Sequence, residues 1–434
     1  MLVLLGFNLL FILVLFGWGG LAAATLERAA GIGLRGGLAV GEYGLLGLAL
    51  LAPIGLVLHG VMALDGWFGL GVSIVGCVSL ICNRRRLLAA ATFGLARGWS
   101  GVLLAALFVL VVGTTVQQRM PYDSGLYHLQ TILMAEDSRI VLGAANIHTR
   151  FGYNSAWLIL CAMFSLPGRP LGGAIGLNGV ICFLVMSGMV QRVGAGVGRS
   201  GSSPSAVFAG ASVLLIALAK LLPHNVGGPS TDLPAGLLTI YTFLLMLVLV
   251  EEVPVDRLED RSLGTLLIAF PIGALAIICK SSQLPVALAV VFVAAAIGSW
   301  RHTSGRRVVC VGAASAAILA TAWVLHGLAL SGCLFYPVSR SCVAILPWTI
   351  PSTMADHDLA WITSFARIPT VKNGLVPDDW HWLPVWLHEI RGERLVVALK
   401  AVFGLCLLSG AIRLGAGRQV RCLGETLDSA GNKA

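Results

Sequence analysis

The chain has 434 residues, of which 57% are hydrophobic and 11% charged, and its mean hydropathy is +0.89. These values exclude a soluble globular domain. The net charge of +9 does not indicate nucleic-acid binding, because Lys and Arg are spread over many short loops. The composition predicts an all-α fold, a polytopic transmembrane helical bundle.

Eleven apolar segments meet or approach the length of about 20 residues that a membrane span requires. The first, 2–24, contains no Lys or Arg and predicts a retained span instead of a cleaved signal peptide. The others are 42–64, 66–82, 100–117, 171–190, 204–222, 233–250, 263–279, 282–299, 308–328 and 394–415.

The distribution of basic residues in short loops predicts the orientation, because Lys and Arg accumulate on the cytoplasmic side. It favours an outside N-terminus and an inside C-terminus. The apolar segment 154–166 would rise only about 20 Å as a helix, too short to cross. We therefore expect a helix lying in the membrane interface there.

The chain divides into four segments without a soluble domain. These are 1–99 with three spans, a transmembrane core at 100–328, a second outer loop at 329–392, and 393–434 with the last span and a cytoplasmic tail. The core includes a first outer loop, 118–170, and outer loops of this size are usually functional. Cys333 and Cys342 lie in the second outer loop, where an oxidising compartment would permit a disulfide, although their spacing leaves the pairing open.

The first outer loop is predicted to contain helices that lie along the membrane surface. Leu126, Leu129 and Leu133 follow helical spacing and form one apolar face, while Asp123 and Tyr127 fall on the other. The second outer loop is rich in Trp, which fits an interfacial belt or a carbohydrate cleft.

Two carboxylates at outer span ends are the main candidates for chemistry. Asp123 follows the fourth span and is a candidate general base, although it could instead cap the next helix. Asp232 begins the seventh span from the same face, and could cap that span or act with Asp123. The two acids could together hold a divalent cation such as Mg or Mn, the cofactor we consider.

Several further side chains near these acids are candidates for substrate binding. Lys280 follows the eighth span, and Arg150 with His148 offers a cationic pair in the first outer loop. Such cations suit phosphate, although a Lys at a span end needs no function. Tyr127, His128 and Asn154 complete the predicted substrate-binding set. No zinc signature, Walker loop, GxGxxG or GxSxG motif is present.

The strings YDSGLYHLQ, NIHTRFGYNS, PSTDLPAGLL, KSSQLP and SGCLFYP resemble a family of bacterial polytopic membrane proteins associated with cell-surface polysaccharides. Their layout is similar to that of the GT-C class of glycosyltransferases, over roughly residues 100–390. In that class an acid in the first outer loop, often an Asp-Glu pair, acts as base or metal ligand. Asp123 matches this position, but Ser124 stands where the Glu would be, and this leaves metal dependence open.

The resemblance implies an inverting glycosyltransferase in the bacterial cytoplasmic (inner) membrane, with its active site facing outside. Its partners would be a polyprenyl-phosphate-linked sugar donor, a glycan or lipid acceptor and membrane lipids. It matches Asp232 to a second acid, and Lys280 and Arg150 to the cations that hold the carrier phosphate. The alternatives are a polysaccharide polymerase or ligase, and a transporter of lipid-linked saccharide.

Overall fold

A computed structural model describes residues 2–34, 37–93, 97–115, 120–196, 203–218, 226–252, 260–286, 289–290, 303–368 and 379–391. Within these ranges every regular element is a helix, which confirms the all-α class. The α-helices are α1 (Leu2–Ala30), α2 (Val40–His59), α3 (Gly66–Cys82), α4 (Arg84–Ala91), α5 (Arg97–Thr115), α6 (Leu129–Asp137), α7 (Ala156–Met163), α8 (Gly172–Gly196), α9 (Pro204–Leu218), α10 (Asp232–Glu252), α11 (Asp260–Cys279), α12 (Thr303–Ser331), α13 (Ser352–Arg367) and α14 (Trp382–Arg391).

Six of these helices are long and apolar enough to cross a membrane: Leu4–Ala30, Val40–His59, Gly172–Ala195, Asp232–Glu251, Ser262–Cys279 and Ser304–Ser331. Helices α3 and α4, bent by 76° at Asn83, would make a seventh if they form one broken span. Shorter apolar helices occupy Gly101–Thr115 and Pro204–Ala217. The chain is thus a helical protein with several candidate membrane spans.

The sequence predicted eleven spans, and that number stays a prediction. Helices occur at most of the predicted positions, but segment 394–415 and most of 282–299 lie outside the described residues. At 100–117 the described helix is Arg97–Thr115 and at 204–222 it is Pro204–Leu218, and the last residues of both predicted segments lie outside the described ranges.

The core of the bundle is built on α2 and α8, which are buried along most of their length. Both are apolar around most of their circumference, as expected for helices enclosed by others, and the buried charges of Glu42 and Arg192 pair with each other. Glycines allow the neighbours to approach closely: a Cβ at Gly19 of α1 would collide with the backbone of Tyr43 in α2. Small residues at such crossings are the usual device of membrane helix packing.

Helix α7 corrects the interpretation of segment 154–166. It does not cross the bundle, because Ser155 before it bonds the carbonyl of Cys279 at the end of α11, while Ser165 after it bonds Glu136 at the end of α6. It is also not a surface helix, since all eight of its residues are buried. A helix in the membrane interface needs a polar face towards water, and α7 has none because its sequence is apolar on every side.

The two ends of the bundle differ in chemistry. One end, here called the Asp123 end, holds Asp123, Asp232 and Lys280. At the opposite end, Arg86 of α4 pairs with Glu27 of α1, and Arg307 of α12 donates a hydrogen bond to the carbonyl of Ala29 in α1. Arg86 and Arg307, which belong to loops predicted to be cytoplasmic, therefore lie at the end of the helices away from the candidate site.

At the Asp123 end the two outer loops pack on each other. Ala145 of the first loop shares a small apolar cluster with Cys333 and Ile350 of the second. Asn146 donates a hydrogen bond to the carbonyl of Trp348 at 2.8 Å. Cys333 and Cys342 are joined in a disulfide, which closes the hairpin that follows α12. The loops thus form one cap over this end of the bundle.

Candidate functional site

Asp123 immediately precedes a single turn of π-helix, Ser124–His128, that leads into α6. Its side chain makes no capping hydrogen bond to this turn. Instead, its Oδ1 accepts a hydrogen bond from Nη1 of Arg150 at 2.7 Å, and the Asp123 side chain remains 48% exposed. The capping alternative therefore does not describe this residue. π-Helical turns occur frequently at functional sites, because they change the direction of the side chains that follow.

Arg150 is held by a short 3₁₀ turn, Thr149–Gly152. The Nδ1 atom of His148 accepts a hydrogen bond from the backbone N–H of Arg150 at 3.2 Å, so His148 caps this turn. The guanidinium also lies over the ring of Tyr127, 5.7 Å from its centroid. A planar cation fixed over an aromatic face keeps further N–H donors for an oxyanion.

Asp232 and Lys280 form a second ion pair at the same end of the bundle. Asp232 begins α10, and Lys280 follows the last residue of α11. The loop before α10 packs on the Asp123 segment, since a Cβ at Gly228 would lie 3.3 Å from Cδ of Pro121. The two acids predicted from the sequence therefore come from adjacent segments, each with its own cation.

His128 lies within the field of both ion pairs, and only 3% of its surface is exposed. Burial lowers the pKa of its imidazole to about 4; the charges of Asp123 and Asp232 oppose this shift, while Lys280 and Arg150 add to it. Its Nδ1 lies 3.3 Å from Oγ of Ser124. Its buried Nε2 has no hydrogen-bond partner among the described residues. A buried ring nitrogen without a partner is unusual and suits a bound polar group.

Three tyrosines extend from Arg150 toward the second outer loop. The ring of Tyr127 lies 5.8 Å from that of Tyr153, which lies 6.0 Å from Tyr336. Tyr336 donates a hydrogen bond to Oδ2 of Asp358 at 3.1 Å. Burial is the main cause that raises the pKa of each phenol, and the negative charge of neighbouring acids raises it further. All three tyrosines therefore remain protonated at neutral pH.

One predicted binding residue lies apart from the Asp123 cluster. The side chain of Asn154 contacts α12, where its Nδ2 donates to the carbonyl of Trp323 at 2.5 Å and its Oδ1 lies 2.9 Å from Nδ1 of His326. It borders a separate cavity that is also lined by His59, Arg139 and His326. The other predicted residues, Asp123, Tyr127, His128, His148, Arg150, Asp232 and Lys280, belong to the cluster or to the turn that supports it.

A divalent cation at Asp123 and Asp232 remains a prediction. Within the described ranges, no group of three or more His, Cys, Asp or Glu side chains is arranged as a metal site. Each acid is paired with a cation, which supplies positive charge where a metal would otherwise do so. The arrangement can therefore bind an anion next to a carboxylate through its own side chains.

Three residues of the site were not among the predicted candidates. Tyr153 and Tyr336 lie within strings that the sequence singled out, so their nearness to Arg150 and to the disulfide was an available signal. Asp358 lies on α13, 7% exposed, and its Oδ1 accepts a hydrogen bond from Thr149 at 3.4 Å. No local sequence pattern distinguishes Asp358 from Asp356, which lies two positions earlier on the same helix.

Comparison with protein families gives a match over most of the chain. A family described as a domain of unknown function (DUF8201) matches residues 1–416, which include the segment predicted to hold three N-terminal spans as well as both predicted outer loops. No curated protein and no solved structure matches the chain. Because the family model covers nearly the whole sequence, the chain belongs to the DUF8201 family.

Proposed function

We propose that the protein is a membrane glycosyltransferase that moves a sugar from a polyprenyl-phosphate carrier to a glycan or lipid acceptor on the outer face of the bacterial cytoplasmic membrane. The observation that carries the proposal is the partly exposed carboxylate of Asp123, which caps no helix and lies against Arg150. A base and a phosphate-binding cation are thereby available to a single substrate. The donor's lipid tail would stay in the bilayer.

The reaction requires a base for the acceptor and positive charge for the leaving group. The acceptor hydroxyl attacks the anomeric carbon and passes its proton to Asp123, while the bond from that carbon to the phosphate oxygen breaks. The electron pair leaves with the lipid phosphate, and Arg150 and Lys280 stabilise its growing charge. One displacement of this kind inverts the anomeric configuration.

The ion pair between Asp123 and Arg150 places the base beside the group that would hold the carrier phosphate. A guanidinium carries several N–H donors, so Arg150 can contact the carboxylate and a phosphate oxygen together.

The proposal is tested by incubating the purified full-length protein in nanodiscs with a panel of polyprenyl-phosphate sugars and candidate acceptors. We expect one donor to release its carrier phosphate, and Asp123→Asn to abolish that release while the protein still inserts and folds. A parallel reaction with a chelator reports whether a divalent cation is needed.

Two outcomes would replace the proposal with its alternatives. Release that survives in Asp123→Asn but is lost in Arg150→Gln would indicate an Arg-dependent polymerase or ligase. Counterflow of a labelled lipid-linked saccharide in liposomes, without product formation, would indicate a transporter.

A further inference from the structure

Helix α4 lies at the end of the bundle away from the candidate site, and the reaction proposed above uses none of its residues. It is bent by 76° from α3, which precedes it. Near its start, Arg86 pairs with Glu27 of α1. Near its end, the carbonyl of Ala90 accepts a hydrogen bond from Nε2 of Gln191 in α8 at 2.8 Å. Contacts with two other helices therefore hold α4 in place.

The sequence of α4, RRRLLAAA, gives the helix a packed face and an outward face. Leu87 and Ala90 are buried against the bundle. Arg84, Arg85 and Leu88 are exposed. Since each residue of an α-helix advances by about 100° around the axis, Leu88 falls between Arg84 and Arg85 on the outward side. Two guanidinium groups and one large apolar side chain thus share this face.

The positive charge of this face has no partner within the described ranges. Helix α4 contains no Asp or Glu, and its two exposed arginines form no ion pair or hydrogen bond with other described residues. Glu27, the acid that contacts α4, uses one oxygen on Arg86 and the other on the N–H of Leu34. Arg28, which follows Glu27 on α1, is exposed and adds a further positive charge to this end of the bundle. The surface therefore attracts anions.

The outward surface of α3 is apolar and leads to the exposed arginines of α4. Ile74, Val78 and Ile81 follow helical spacing on one side of α3, and each is more than half exposed. Together with α4, α3 passes the length and composition test for a broken membrane span. An apolar helix face that ends beside two cations repeats the order of groups in a phospholipid, whose acyl chains end at a phosphate.

The orientation of the chain accounts for only part of this arrangement. The accumulation of Lys and Arg on the cytoplasmic side explains why basic residues occur at this end of the bundle. It does not require a helix, fixed at both ends, that presents two of them around an exposed Leu. A fixed helix holds its guanidinium groups at a set spacing, which lowers the ordering cost of binding a phosphate.

We propose that α4 and the outward face of α3 bind one anionic phospholipid. Its phosphate lies between Arg84 and Arg85, because guanidinium groups contact phosphate oxygens through paired N–H donors. Its acyl chains follow Ile81 and Val78 along α3, and Leu88 contacts the apolar part next to the headgroup. This site lies at the other end of the bundle from Asp123 and does not depend on the proposed transferase activity.

The test is native mass spectrometry of the full-length protein, released from detergent and titrated with phosphatidylglycerol or with phosphatidylcholine. We expect the first phosphatidylglycerol to bind about tenfold more tightly than phosphatidylcholine. In the double variant Arg84→Gln with Arg85→Gln, phosphatidylglycerol should bind about tenfold more weakly than in the wild type, because both cations at the phosphate are removed. Both side chains are exposed and unpaired among the described residues, so we expect the double variant to fold.

The matched control, Arg340→Gln, removes an exposed Arg from the second outer loop and should bind phosphatidylglycerol as the wild type does. Equal affinity for the two lipids would overturn the proposal. So would a loss of phosphatidylglycerol binding of the same size in Arg340→Gln and in the double variant, because the effect would then follow total charge instead of this site.

A competition arm separates a lipid from a free phosphate ester. Glycerol 3-phosphate carries the same phosphate without acyl chains. We expect it to leave phosphatidylglycerol bound when the two are present at equal concentration, because it lacks the contacts along α3. Displacement of the lipid by glycerol 3-phosphate under these conditions would assign the arginines to a soluble anion and overturn the lipid site.

Discussion

Two acid–guanidinium pairs in this protein have similar geometry and opposite surroundings. In the core, Oε1 of Glu42 accepts hydrogen bonds from Nη2 of Arg192 at 2.7 Å and from the hydroxyl of Tyr241 at 2.8 Å, and its Oε2 accepts from the N–H of Ala39 at 2.8 Å. At the Asp123 end, Asp123 and Arg150 also meet at 2.7 Å. The first pair is 0% and 2% exposed, and the second is 48% and 22% exposed.

This difference in exposure distinguishes a structural ion pair, Glu42 with Arg192, from a candidate reactive pair, Asp123 with Arg150. Glu42 uses both oxygens on protein donors and has no free face, so it fixes α2 against α8 and α10. Asp123 has one hydrogen-bond partner described and an open face, and it lies near His128, whose Nε2 lacks a partner among the described residues. Both oxygens of the core carboxylate are used on protein donors, whereas the carboxylate at the Asp123 end retains an open face for a ligand.

The largest effect on stability should come from breaking the buried pair. Glu42→Gln leaves Arg192 without its counter-charge in the core, and such losses cost about 3–5 kcal/mol. We expect the free energy of unfolding, measured in detergent or nanodiscs, to fall by that order. A double variant, Glu42→Gln with Arg192→Met, should recover part of the loss, because no uncompensated charge remains and the Gln carbonyl oxygen can still accept a hydrogen bond from Tyr241. Equal destabilisation in both variants would contradict this account of the pair.

His128 should give the site a measurable pH dependence. Burial lowers its pKa to about 4 in the folded protein, while an unfolded chain has about 6.5. The unfolded state therefore binds the proton more readily between these values, and stability should be complete above about pH 6.5 and be lost as pH falls toward 4.

The His128 contribution should be on the order of 3 kcal/mol. Unfolding measured across this pH range should show a shallower slope in His128→Gln than in the wild type. Identical slopes would mean that His128 is not buried in neutral form.

Breaking the exposed pair should change stability least. Asp123→Asn and Arg150→Gln should each alter the free energy of unfolding by less than about 1 kcal/mol, because exposed ion pairs contribute little. A double-mutant cycle over the two variants measures their coupling directly. Coupling of several kcal/mol would show that this pair is structural, like Glu42 with Arg192, and would remove the basis of the comparison.

The sequence predicted the helical class and much of the candidate site, because both depend on local patterns. Apolar runs fix where helices occur, and Asp123, Arg150, Asp232 and Lys280 stand out since charge is rare in such a chain. The burial of α7 could not be predicted from its sequence. Its length excludes a membrane span but does not indicate which residues pack over it. The contacts of Glu42 with Arg192 and Tyr241, and of Asp358 with Thr149 and Tyr336, join residues more than 20 positions apart, and only packing brings them together.

The most direct test compares Asp123→Asn with Asp65→Asn in the carrier-phosphate release assay. Asp65 is another acid at a helix start, and it accepts a hydrogen bond from the N–H of Phe68 at 2.9 Å, a capping role that Asn can also fill. General base catalysis typically contributes about 10²–10⁴-fold to rate. We expect a loss of that size in Asp123→Asn, with folding intact, and near wild-type release in Asp65→Asn. Equal activity in the two variants would contradict the assignment of Asp123 as the base.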